Sequence, residues 1–347
     1  MFCTIPTQIV GYAPAGREIG DRSFIFPIYS GMFFLLKYGV LCEPSEMVAT
    51  EIDLVDRFVK ETERHGDPVH YGRALAMQGE TCHRLGKFED AIESHMKLKQ
   101  IYNIDEHSAR IVASYASDRC AQNYGSTAFC YVRLGENDKA LEICDYIEHH
   151  IMPKMDPKNV HNSTANIMSS LWIWRANGMS ARSLSAFQRH VLEPFDQYFG
   201  KDGSTPFQPL FSCITMLLTL DILLEKGELE TVDESYFEWV MDMANMEGTI
   251  KMENSLGNFG RGQMSVNAEL CLILSKITED PERKMEIIAN GVNLANLSLR
   301  GLDGSDGSPR FETGYAMIQP VHSELTSLYK YHLPNSSNAG ATDKAIP

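Results

Sequence analysis

The chain has 347 residues, 44% of them hydrophobic and 22% charged, enough for a large core or an extended array of repeats. Its formal net charge of −15 argues against nucleic acid and anionic membrane as partners, since both repel an acidic surface. The eight cysteines form no C-x-x-C pair and sit mostly in apolar helical patterns, which reads as reduced thiols of a cytoplasmic protein.

Residues 1–22 carry Glu18 and Asp21 and lack the basic-then-apolar layout of a signal peptide, so a poorly ordered segment is expected there. "FIFPIYSGMFFLLKYGVL" from Phe24 is the one membrane candidate. Pro27, Ser30, Gly31 and Lys37 interrupt it, and a buried helix is the better reading. In "EMVATEIDLVDRFVKETER", Met47, Ile52, Val55, Phe58 and Val59 recur at helical spacing and share one face.

Two near copies follow: "RLGKFEDAIESH" from Arg84 and "RLGENDKALEIC" from Arg133. Aligning Gly86 with Gly135 puts Ala91 on Ala140, with a helical pattern on either side of each glycine. Glycine suits the end of a first helix because the chain must leave through a left-handed conformation that penalises a Cβ. Alanine suits a close crossing of paired helices. A fainter unit precedes these, with Ala49 in the place of Ala91, and another follows with Gly178 at its turn. The spacing of 49 residues between Ala91 and Ala140 exceeds the roughly 34-residue tetratricopeptide unit. The surplus lies in Asn103 to Asp118, read as an inserted connector, where "SARIVASY" from Ser108 is the stretch most easily imagined as extended. Further pairs flank Gly227 and Asp280-Pro281.

These residues resemble the tetratricopeptide repeat. Leu75, Gly79, Cys82, Ala91 and Leu98 fill its signature places in one copy, and Tyr124, Ala128, Tyr131, Ala140 and Ile147 in the next. His95 and Cys144 stand where the pattern has an aromatic. The order of "HGDPVHYGRALAMQGETCHRLGKFEDAIESH", "IYNIDEHSARIVASYASDRCAQ" and "YVRLGENDKALE" is similar to the TPR-like region of signal-transduction ATPases and cyclase-linked proteins. The resemblance implies an all-α, right-handed superhelical solenoid of paired antiparallel helices over residues 23–299. First helices would line a concave groove, presenting Arg73, Glu80, His83 and Arg84 from one repeat. Gln122, Phe129 and Arg133 would follow from the next, then Trp172 and Arg175. Arg and aromatic side chains are enriched at recognition surfaces, and Arg pairs bidentately with carboxylates.

Residues 300–314 read as a Gly- and Asp-rich loop, 315–332 as a C-terminal capping helix bent at Pro320, and 333–347 as a disordered tail.

The chemistry searched for does not assemble. His149 and His150 are adjacent, so they lack the i, i+4 face of a zinc motif, and His161 lies beyond two prolines. "DGSDGS" at Asp303 lacks the spaced acids of a calcium loop. "GNFGRGQ" at Gly257 follows no strand and reads as a helix-entry loop. There is no G-x-x-x-x-G-K-[ST] loop and no G-x-S-x-G nucleophile motif, so neither ATPase activity nor any cofactor is expected, and carboxylate pairs such as Asp233–Glu234 read as solvated charge. The expectation is a non-enzymatic scaffold in signalling that binds an acidic protein or peptide segment in its groove. The rival readings are a small-ligand sensor and an enzyme with a convergent site. Oligomeric state is not legible.

Overall fold

The computed structural model describes residues 24–37, 44–156, 158–199, 208–228, 232, 234–245, 258–299 and 312–332. Every regular element among them is helical. The expected disordered termini and most of the loop before the last helix lie outside the described residues. The chain divides into two compact units, residues 1–211 with 301–315 and residues 212–300 with 316–347.

The first unit opens with α1 (Ile25–Lys37), α2 (Pro44–His65) and α3 (Pro68–Arg84). α1 is the apolar run, and it is a helix buried along one face, with Ile28 and Leu35 exposed on the other. Phe26, Tyr29, Phe33 and Leu36 pack with Leu54, Val55 and Phe58 of α2 and with Ala74 and Met77 of α3. Tyr29 stacks on Phe58 with ring centroids 5.2 Å apart. Among the described residues no helix is long and apolar enough to cross a membrane.

Next come α4 (Phe88–Ile101), α5 (Ile104–Tyr115), α6 (Arg119–Arg133) and α7 (Asn137–Tyr146). After α7 the chain continues through a π-helical turn over Ile147–Ile151 to α8 (Val160–Ala176) and α9 (Ser180–Phe187). A second π-helical turn over Gln188–Leu192 then leads into α10 (Glu193–Phe199). Local sequence sets the starts. Asp67 Oδ1 accepts from Val69 N–H at 2.9 Å with Pro68 in the first turn, Asp118 Oδ1 accepts from Ala121 N–H, and Asn159 Oδ1 accepts from Asn162 N–H.

One stop is written repeatedly. Gly86, Gly135, Gly178 and Gly227 all have φ between 71° and 79°. The N–H after each glycine reaches back five residues: Lys87 to Cys82, Glu136 to Tyr131, Met179 to Trp174 and Glu228 to Leu223, at 2.8–2.9 Å. The same six-residue closure thus ends four helices, and it satisfies carbonyls that the helix end would leave open.

In each pair the second helix folds back on the first: α4 on α3, α7 on α6, and α9 on α8. First helices also meet side by side, α3 with α6 and α6 with α8, while α4 touches α6 and α7 touches α8. Ala91 and Ala140 are buried, 4% and 0% exposed, as the two aligned turns require. Where α6 meets α8 the backbones are so close that a Cβ on Gly125 would fall 2.5 Å from Ser169 Oγ. At the third turn Ser183 replaces alanine, and its buried hydroxyl donates to Leu171 O at 2.9 Å.

Three expectations need correction. Asn103–Asp118 contains α5, with "SARIVASY" helical. Asn103 caps it by accepting from Asp105 N–H, and buried Ile104 and Ile111 fall two turns apart on one face, so packing outweighs the β-branched composition. Ala49 is exposed, so α2 does not repeat the Ala91 crossing. At "GNFGRGQ" the helix begins at Asn258, which puts Gly260 and Gly262 inside it instead of in an entry loop.

The second unit holds most of α11 (Gln208–Lys226), with α12 (Glu234–Asn245), α13 (Asn258–Ile277), α14 (Pro281–Leu299) and α15 (Glu312–His332). α13 and α14 form the pair around Asp280-Pro281, with Asp280 Oδ1 accepting from Glu282 N–H at 3.0 Å. α15 starts three residues before the expected position and carries Pro320 inside it. Its buried Leu325 lies against Gly291 of α14, and its Glu324 pairs with Lys276 of α13.

Candidate partner-binding surface

The residues expected in the groove come from α3, α6 and α8, and the structure sorts them into three groups. Some are sealed in the packing. Arg73 is wholly inaccessible, donating from Nε and Nη2 to Ser30 Oγ of α1 at 3.2 and 2.7 Å. Gln122 is buried too, and its Nε2 donates to Asn162 Oδ1 of α8 at 3.2 Å. The tetratricopeptide resemblance implied open side chains at both places. Their neighbours α1 and α8 come from distant sequence and cover them.

Arg84 belongs to a second group. It is ion-paired with Glu51 of α2, whose side chain is 2% exposed and also accepts from Thr81 Oγ1 at 2.6 Å. The expected equivalence of the arginines is partial. Arg84 and Arg133 each immediately precede the Leu-Gly of the closure, whereas Ala176 holds that place before Asn177-Gly178 and Arg175 lies one residue earlier.

The third group runs from the buried His83 out to the surface. The ring of His83 lies 6.4 Å from that of Phe129, their planes 16° apart, joining the ends of α3 and α6. Phe88, from the start of α4, adds its ring 6.3 Å from His83, and the Arg133 guanidinium sits 5.8 Å over Phe88. Phe129 is half-buried and Arg133 exposed. On α8, the Arg175 guanidinium lies 5.7 Å over the ring of Trp172, and both side chains are half-buried. Glu80 is half-buried on α3. The unforeseen member is Phe88. Its sequence signal is an aromatic two residues past the helix-closing glycine, beside a helix end rich in His and Arg.

Charge around these side chains is organised in pairs. Arg182 bridges Asp145 and the buried Glu148, and its guanidinium lies 4.2 Å over Trp174. His149 and His150 are exposed: His149 Nδ1 is bonded to Asp145 O, and His150 stacks on Tyr146. Among the described residues, no three His, Cys, Asp or Glu side chains gather as a metal site, and six cysteines are free thiols.

The chain matches no family model, no curated protein and no solved structure.

Proposed function

We propose that the chain is a TPR-like right-handed solenoid that acts as a cytoplasmic interaction scaffold in signalling. The first helices present Phe129, Arg133, Trp172 and Arg175 to an acidic segment of a protein partner. The observation that carries this reading is the packing of α3, α6 and α8 side by side, each ended by the same glycine closure. Arginine over an aromatic ring suits such a surface, because the ring orients the guanidinium and leaves its edge open to a carboxylate. The six free thiols agree with a reducing compartment.

The test is affinity purification of the tagged full chain with mass spectrometry, followed by direct binding of the recovered partner. Phe129→Ala with Arg133→Ala should abolish binding and leave the helical signal intact. Lys97→Ala, at an exposed site on α4, should not affect it. Unchanged binding by the double variant, or binding that does not weaken as salt rises, would sink this reading.

A second reading is a receptor for a small polar ligand. It is favoured by interior polar groups on α6 and α8: Asn123 Nδ2, Asn162 Nδ2, Thr164 Oγ1 and Asn166 Oδ1 are buried without a hydrogen-bond partner. Such atoms are rare in folded proteins, and a ligand with donors and acceptors would satisfy them. Denaturing mass spectrometry of natively purified protein should then release a stoichiometric small molecule. Its absence would dispose of this alternative.

A further inference from the structure

Two guanidinium groups lie over one aromatic ring inside the first unit, with no carboxylate bonded to either among the described residues. Arg73 of α3 directs Nε and Nη2 at one neutral acceptor, Ser30 Oγ, and its Nη1 has no partner. Arg119, the first residue of α6, has a buried Nε that also lacks one. Phe34 of α1 joins them: its ring centroid is 5.6 Å from Cζ of Arg73 and 5.1 Å from Cζ of Arg119. Tyr115 of α5 adds a ring 5.4 Å from Arg73, with its hydroxyl bonded to His70 Nδ1 at 2.6 Å.

The acids near this cluster are committed elsewhere. Asp118 caps α6 through Oδ1 and accepts from Tyr102 Oη through Oδ2 at 2.7 Å. Asp67 accepts from Val69 N–H and from Arg110 Nη2. Glu80 acts on Arg73 through space but is not bonded to it. Burial lowers the Arg73 guanidinium to about 10, and Arg119 contributes further, so it keeps its charge at neutral pH. In a protein with a net charge of −15, these two cations thus lie over one ring with no carboxylate bonded to either among the described residues. A hydroxyl offers two lone pairs, whereas an oxyanion offers several on a geometry that matches the guanidinium fork. Arg119 also stands at a helix N-terminus, where positive charge opposes the helix dipole and an anion is favoured.

We propose that Arg73, Arg119 and Ser30 form a binding site for a single oxyanion group, a phosphate or a carboxylate, received between α1 and the α3–α6 face. The site is distinct from the partner-binding surface and does not depend on it.

The experiment is thermal unfolding of the full chain in sodium phosphate and in sodium acetate, each against sodium chloride at equal ionic strength. Phosphate stabilises proteins generally by exclusion from their surface, so the measured quantity is the difference between wild type and Arg119→Gln. The wild type should gain about 2–4 °C more than the variant in at least one of the two anions. A gain in phosphate alone assigns a phosphoryl group, and a gain in acetate a carboxylate. Ser30→Asp, which supplies the negative group from the chain itself, should raise the melting temperature in chloride and remove the specific gain. Identical salt responses in wild type and Arg119→Gln for both anions would overturn the site. So would a Ser30→Asp protein that keeps the specific gain.

Discussion

The imidazole of His83 lies nearly parallel to the ring of Phe129, 6.4 Å away, and this contact links the end of one first helix to the end of the next. It also shows that matching sequence does not assign matching work. Arg84 follows His83 and turns to a buried carboxylate on α2, while Arg133, at the corresponding place on α6, lies over Phe88.

The two arginines should therefore fail differently. Arg84→Ala leaves Glu51 charged, buried and without its cation, a loss of roughly 3–5 kcal/mol. Arg133→Ala removes an exposed cation–ring contact worth about 0.5–1 kcal/mol. Urea unfolding followed by circular dichroism should separate them clearly. Equal midpoints would mean that the Glu51 pair contributes little to folding.

Ala91 and Ala140 are buried on second helices that fold back on their first helices. Ala91→Phe and Ala140→Phe should each cost roughly 1–3 kcal/mol by overpacking. A melting temperature unchanged in both variants would show that the two turns are not equivalent crossings.

Gly135 tests the closure itself. A Cβ there meets no atom within 4 Å, so the penalty at φ 79° is purely conformational. Gly135→Ala should lose about 1 kcal/mol, and Gly135→Asn less, because Asn tolerates the left-handed region. An alanine variant as stable as the parent would remove the closure from the list of features that fix the turn.

His95 should make stability fall in acid. Burial pulls its pKa down to about 4, with Lys99 adding to the shift, and its ring stands nearly perpendicular to that of Tyr124, centroids 4.6 Å apart. The folded pKa lies below that of a free imidazole, so the unfolded chain takes up the proton first. The contribution is complete above about pH 6.5 and is lost as pH falls toward 4, on the order of 3 kcal/mol in all. His95→Phe should fold and flatten the stability profile over that window. An unchanged slope in the variant would place the acid sensitivity elsewhere.

The repeated turn was written in local sequence. Arg-Leu-Gly fixes a helix end because the left-handed exit selects glycine within a few residues of the helix it closes, and Ala91 and Ala140 follow at a fixed distance. The interrupted apolar run of α1 likewise announced a helix packed on the core, which it is along one face. Long-range packing settled the rest. The tetratricopeptide resemblance placed Arg73 on a groove, but Ser30, 43 residues away in the chain, arrives on α1 and accepts its hydrogen bonds. Arg84 and Arg133 read alike until Glu51 pairs with the first and the ring of Phe88 comes under the second. The connector became α5 because Ile104 and Ile111 found a core to enter. Periodicity records which side of a helix is apolar. It does not record which helix will come to cover that side, because the covering surface is contributed by residues tens of positions away.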